Sequence, residues 1–210
     1  MSVTLLLIGI TAAASFYAWK NPEIYRKWIM NPFLVQKNNE YWRFLSSGFI
    51  HADTGHLIFN MFSLYFMGEY LEQIFESWFG FTGIIYFLIL YLAGIIISEI
   101  PSYFKHKKDY NYNSLGASGG VASVIFSFIM IAPTQNIILY FLPVPAFIFG
   151  ALYLIYSYMQ GKKSSDNINH DAHFYGAVFG ILFTVLINFN VIFSFADQII
   201  HWEVFSVFSK

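Results

Sequence analysis

The sequence predicts an all-α membrane protein, folded as a single domain over residues 1–210. Three observations predict it. Apolar side chains make up 57% of the chain and aromatic ones 21%. Lys and Arg number 11 and Asp and Glu 12, together 11% of residues, where ordinary soluble domains carry about 25%. So few charges cannot cover the surface of a water-soluble fold of this length. Finally, the apolar residues fall into six runs near the ~20 residues that a helix needs to cross a hydrocarbon core of ~30 Å.

The first run, residues 3–19, has no positively charged leader. That favours a retained span over a cleaved signal peptide, despite the cluster Ala12, Ala13, Ala14. Residues 20–54 are too long and too mixed for a simple connection. They interleave Trp28, Phe33, Tyr41 and Trp42 with five basic residues, as expected of a loop lying in the membrane interface. The second, third and fourth spans are set at 55–75, 81–100 and 115–132. Pro143 and Pro145 interrupt the next apolar stretch, and proline sits best in a helix's first turn. The fifth span is therefore set at 145–160, leaving 136–142 extended or interfacial. The sixth covers 171–193, and the tail from Asp197 to Lys210 forms a short interfacial helix.

The chemistry open to this chain is narrow. It has no cysteine, which excludes disulfides, thiolate metal sites and a cysteine nucleophile. A net charge of −1 without a basic stripe gives no footprint for nucleic acid. What remains is hydroxyl, imidazole and carboxylate.

Polar groups inside lipid-spanning segments are costly and usually functional. His56 and Asn60 open the second span, Ser118 the fourth and His173 the sixth. Even-numbered helices of an antiparallel bundle start at one membrane face, so all four share a depth. His56 and Asn60, four apart, lie on one helix face. Ser118 sits in the run Gly116-Ala117-Ser118-Gly119-Gly120, whose small residues permit close approach. Gly176 and Gly180 follow His173 with the small-xxx-small spacing of tightly packed helices. A close contact of the fourth and sixth spans brings an imidazole base to a hydroxyl nucleophile. His56, Asn60 and the Ser118 amide are left to donate to an oxyanion.

Packing explains each element taken singly: glycine-rich runs join helices, and a lone His or Asn can be structural glue. A second reading is a metal site or cation transporter, since His51, His56, His170, Asp171 and His173 gather near one face and imidazole is a common ligand. Against it, no His-Glu-x-x-His occurs, no span carries paired carboxylates, and Ser118 has no role in it.

Trp42-Arg43, Phe49, His51, His56 and Asn60, then Gly68 and Glu72, Gly116-Ala117-Ser118-Gly119, and Ala172-His173 with Gly176 and Gly180 together resemble the motifs of the rhomboid intramembrane serine proteases. The resemblance runs from Trp42 to Gly180. It implies a six-helix bundle that cleaves transmembrane protein substrates in or near lipid, without metal or other cofactor. By the same resemblance Ser118 is the nucleophile, His173 the base, and His56 and Asn60 the oxyanion donors. Gly116, Gly119, Gly176 and Gly180 pack the active site, Trp42 and Arg43 are structural residues of the first loop, and the fifth helix is the mobile side through which substrate enters. A noncatalytic relative that binds membrane segments is the alternative, with no need for either Ser118 or His173.

Two positions depart from the family pattern. An aromatic residue often stands four positions after the nucleophile, against the catalytic imidazole, where this chain has Ala122. Phe126 or a Tyr of the fifth span is expected to hold His173 instead. A common Gly-Gly pair is here Tyr175-Gly176. Asp171 faces away from a dyad centred on His173 and is expected to serve the start of the sixth helix. Glu69, Glu72 and Glu76 are expected at a solvated helix end, Glu72 tying the loop that follows.

Orientation divides the indicators. Ten of the eleven basic residues lie in the first, third and fifth connections, which by the positive-inside rule makes the Ser118 face cytoplasmic. The rhomboid resemblance implies the reverse, with a cytoplasmic amino terminus in the cell membrane. The resemblance is preferred, because five of those charges sit in one aromatic loop that folds as a unit.

Overall fold

A computed structural model describes residues 2–139, 142–163 and 168–202, which are mostly helical. α1 (Val3–Lys20) is capped by Ser2, whose Oγ accepts from the Leu5 amide at 3.2 Å. Its buried residues, Thr4, Leu7, Thr11, Ser15 and Ala18, recur at helical spacing and are mostly small or hydroxylated. That is the face that packs in lipid, where small side chains let helices approach. Leu5, Leu6, Ile10 and Phe16 point outward.

Residues 20–54 form α2 (Pro22–Trp28), α3 (Pro32–Asn38) and α4 (Arg43–Ser46), then a 3-10 turn at Ser47–Phe49. Proline opens the first two of these, where its missing N–H has no partner to lose. Asp53 caps α5 (Thr54–Ser63), accepting from the His56 amide at 2.8 Å. A π-helical turn at Leu64–Gly68 joins α5 to α6 (Glu69–Phe79), so the second helical run reaches 54–79 rather than 55–75. Its far end meets the start of α1. The Val3 and Thr4 amides donate to the Glu72 carboxylate at 2.8 Å each, Thr4 Oγ1 donates to it at 2.7 Å, and Ser2 Oγ donates to Glu69. The orphan amides and positive dipole end of a helix start favour a carboxylate there. Glu72 is thus buried against α1, not solvated and not tied to the next loop.

α7 (Phe81–His106) is longer than the 81–100 expected, and Pro101 lies within it. α8 starts at Ser118 and ends at Ile131, inside the expected 115–132, because Gly116 adopts φ +118° and breaks the helix before the serine. At 14 residues α8 is about 21 Å long, and it is the innermost helix, buried on almost every side.

Strands β1 (Asn136–Leu139) and β2 (Leu142–Pro145) pair antiparallel, from Asn136 opposite Pro145 to Leu139 opposite Leu142. An extended segment is expected there. The extended structure runs on to Pro145 instead of stopping at 142, so Pro143 and Pro145 lie in the second strand and the helix opens one residue after Pro145. α9 follows at Ala146–Lys163.

α10 (His170–Ile187) is capped by Asn169, not by Asp171, which lies in the first turn and pairs with Lys105 at 2.8 Å. The sixth span does not continue to 193. Asn188 is extended, and α11 (Val191–Ile200) begins afresh, earlier than the tail helix expected from Asp197. The Asn188-Phe189-Asn190 sequence explains the break, since Asn competes for backbone hydrogen bonds. The end of that tail, 203–210, lies outside the described residues. Among the described residues, α1, α7 and α10 are long and apolar enough to cross a membrane by length and composition, with α8 and α11 as shorter apolar helices.

Candidate active site

α8 lies between α7 and α10 with almost no side chain between the backbones. A Cβ on Gly176 would stand 2.3 Å from the Gly119 carbonyl oxygen, and one on Gly180 would stand 2.2 Å from that of Ser123. On the other side, a Cβ on Gly120 would meet the Tyr91 carbonyl at 2.7 Å, and one on Gly119 would meet Ser98 Oγ at 1.9 Å. Ser123 Oγ lies 2.9 Å from the carbonyl oxygen of Gly119 and 3.0 Å from that of Gly176, stitching the two helices. Ser118 immediately precedes Gly119, and His173 lies one turn before Gly176. The glycine contact therefore sets Ser118 and His173 on facing helices near one level.

The His173 ring lies against Tyr153 of α9, with centroids 6.1 Å apart and planes within 24°, and edge-on to His170 at 5.9 Å. Phe126 backs Tyr153 at 5.5 Å. The aromatic neighbour missing at Ala122 is thus supplied from another helix. Tyr175 is 42% exposed and does not enter the helix contact, which Gly176 makes instead.

His56, in the first turn of α5, faces the turn before Ser118, where Gly116 adopts its positive φ. A Cβ on Gly116 would lie 2.5 Å from its Cε1 and 2.8 Å from its Nε2, so only glycine fits beside that ring. Asn60 is buried one turn on, its Nδ2 donating to the His56 carbonyl at 2.9 Å.

The first loop holds the same turn from the other side. Met30 and Ser114 exchange backbone hydrogen bonds at 3.0 Å, and the Gly116 amide donates to the Ser47 carbonyl at 2.9 Å. Asn31, the α3 cap, donates through Nδ2 to the Tyr110 and Tyr112 carbonyls at 3.0 and 3.2 Å. Arg43 is buried and gives its guanidinium to the Arg26 and Ile29 carbonyls at 2.9 and 2.7 Å and to Glu40. Trp42 is 48% exposed and makes no comparable anchor.

Two residues outside the expected catalytic set belong to this network, one of them, His51, expected only as a motif residue or a metal ligand. His51 is fully buried. Its Nε2 accepts from the Ala117 amide at 3.2 Å, which leaves Nδ1 protonated to donate to Ser15 Oγ at 3.1 Å. Its ring meets that of His56 at 4.9 Å. Burial, with His56 beside it and a smaller opposing pull from Asp53, pushes the imidazole down to about 3, so it stays neutral. Glu99, on α7, accepts from Ser114 Oγ at 3.0 Å and from Asn169 Nδ2 at 3.2 Å. A lone carboxylate inside an apolar run is the signal that could have found it. Among the described residues no three His, Asp or Glu side chains group as metal ligands. Of the four histidines in the metal reading, His51 meets His56 at 4.9 Å and His170 meets His173 at 5.9 Å.

A family model described as the Rhomboid domain matches residues 38–189, well over half of the chain. The chain belongs to the rhomboid family. RHOMBOID-like protein 12, mitochondrial, of Arabidopsis thaliana is 27% identical to this rhomboid over 193 residues, covering 82% of this chain and 55% of its own. Rhomboid-related protein 1 of Caenorhabditis elegans is 28% identical over 191 residues, covering 84% of this chain and 48% of its own. The rhomboid chain thus spans about half the length of these curated relatives. With its family and its apolar helices, this rhomboid is an integral membrane protein.

Proposed function

We propose that this rhomboid is an intramembrane serine endopeptidase acting on transmembrane proteins. Ser118 Oγ attacks a peptide carbonyl while His173 takes its proton. His173 then gives that proton to the leaving amine, and water, activated by the same imidazole, hydrolyses the acyl-enzyme. His56, Asn60 and the Ser118 amide donate to the tetrahedral oxyanion. The dyad needs no cofactor. In this reading the helical run 54–79, α8 and α9 join α1, α7 and α10 as six spans, surrounded by membrane lipid. Residues 20–54 rest in the interface, and the amino terminus is cytoplasmic.

The observation that carries the proposal is the backbone contact of Gly119 with Gly176, beside which His56 lies on the turn leading to Ser118. A noncatalytic binder has no use for a hydroxyl and an imidazole carried on two closely packed turns. The test is covalent labelling of the detergent-solubilised protein by a fluorophosphonate, with cleavage of a transmembrane reporter alongside. The wild type is expected to label and cleave, and Ser118→Ala to do neither while remaining folded. A Ser118→Ala variant that still cleaves overturns the mechanism, as does inhibition by EDTA that zinc reverses.

A further inference from the structure

Glu99 stands between the two segments that lead into the proposed dyad. Ser114, which donates to it at 3.0 Å, is four residues before Ser118. Asn169, which donates to it at 3.2 Å, is four residues before His173. Neither donor is idle elsewhere. Ser114 carries the backbone bridge to Met30. Asn169 Oδ1 caps α10 by accepting from the Ala172 amide at 3.1 Å, and also accepts from Ser102 Oγ at 2.9 Å.

An asparagine amide has two ends, and the carboxylate fixes which end faces which partner. With Nδ2 held by Glu99, Oδ1 is turned to the Ala172 amide, one residue before His173. A serine hydroxyl rotates freely until an acceptor fixes it, and here the acceptor is the same carboxylate. Glu99 is 6% exposed and sits on α7, the helix whose Tyr91 carbonyl and Ser98 side chain back Gly120 and Gly119. A buried carboxylate persists only where donors satisfy it, and these donors come from the two segments whose relative placement the chemistry requires.

We infer that Glu99 is a positioning residue, a clamp that holds the approach to Ser118 and the approach to His173 in one register. It touches neither reacting atom. The inference deepens the protease reading and rests on it for activity, but the clamp itself is a statement about two backbone segments.

The test uses the full chain and two readouts: the rate of fluorophosphonate labelling, and amide hydrogen exchange over residues 112–117 and 168–173. Glu99→Leu is expected to slow labelling by about 10- to 100-fold, the loss associated with small misplacements of reacting groups, and to speed exchange in both segments. Glu99→Gln, which keeps the length and one acceptor, should restore part of both. Ser114→Ala should speed exchange at Ala172 as well as in its own segment, because the carboxylate then loses one of its anchors. Unchanged exchange in Glu99→Leu overturns the clamp, whether or not labelling falls. If Glu99→Leu does not fold, Ser114→Ala decides, and exchange confined to its own segment overturns the clamp. If the wild type does not label at all, the protease reading has failed, and the exchange data still judge the clamp.

Discussion

Gly176 of α10 rests its backbone directly on the carbonyl of Gly119 in α8, with room for a hydrogen but not for a methyl group. Ser118 is the residue before Gly119 and His173 lies one turn before Gly176, so this contact joins the two turns that carry them. Helix association in lipid lacks a strong hydrophobic drive and relies on such close packing.

Gly176→Ala therefore tests the contact. The added Cβ would meet a backbone oxygen at 2.3 Å, which no rotamer can relieve, and overpacking of this kind costs about 1–3 kcal/mol. Thermal unfolding should shift downward and fluorophosphonate labelling should fall. Gly9→Ala is the control, since nothing lies within 4 Å of its added Cβ. It should leave labelling intact. Equal behaviour of the two variants would show that the α8–α10 contact does not set the site.

Tyr153→Ala should slow labelling by about tenfold through loss of the ring beside His173, an orientation effect rather than a binding one. Tyr153→Phe should behave as wild type, because it keeps the near-parallel ring beside His173. A Phe variant as slow as Ala would assign the role to the hydroxyl instead. Since Tyr153 belongs to α9, any displacement of that helix also changes what supports the imidazole.

The polar residues that face the site were legible because apolar helices make them conspicuous. His56, Ser118 and His173 do lie in the first turns of α5, α8 and α10. The resemblance likewise located the glycines that join α8 to α10. What composition and periodicity could not show are features set by partners distant in sequence. Glu72 looks like a solvated helix end until α1 presents its amides. Glu99 and His51 have meaning only through Asn169, Ser114, Ala117 and Ser15. The π-turn at Leu64–Gly68 and the strand at Leu142–Pro145 lack a periodic signature altogether.

Stability should fall on acidification through His51. Its imidazole titrates near 6.5 when unfolded and is held down to about 3 in the folded chain. The unfolded state therefore binds the extra proton first. Stability is fully present above about 6.5 and is lost as pH falls from there toward about 3. Thermal unfolding midpoints of wild type and His51→Gln, measured from pH 7.5 down to 5, should converge as pH drops, because the variant lacks this proton. Parallel curves would mean that His51 is not buried as a neutral acceptor for the Ala117 amide.

Membrane orientation sets the positive-inside rule against the family reading, and one residue separates them. Asn38 is exposed at the end of α3, in the connection that carries Lys20, Arg26, Lys27, Lys37 and Arg43. The charge rule puts this connection in the cytoplasm. Yet Arg43 is buried and spends its charge on Glu40 and on the Arg26 and Ile29 carbonyls, so it is not a free cation to be counted. The loop also folds into short helices, and its Ser47 carbonyl holds the Gly116 amide of the turn before Ser118, which ties its charges to the active-site face that the family reading turns outward. With no native cysteine, Asn38→Cys offers a single thiol. Modification by an impermeant thiol reagent on intact cells is the expected result, with Ser118 facing outward. Modification only after permeabilisation would mean that the charges prevail and that the proposed protease works from the cytoplasmic face.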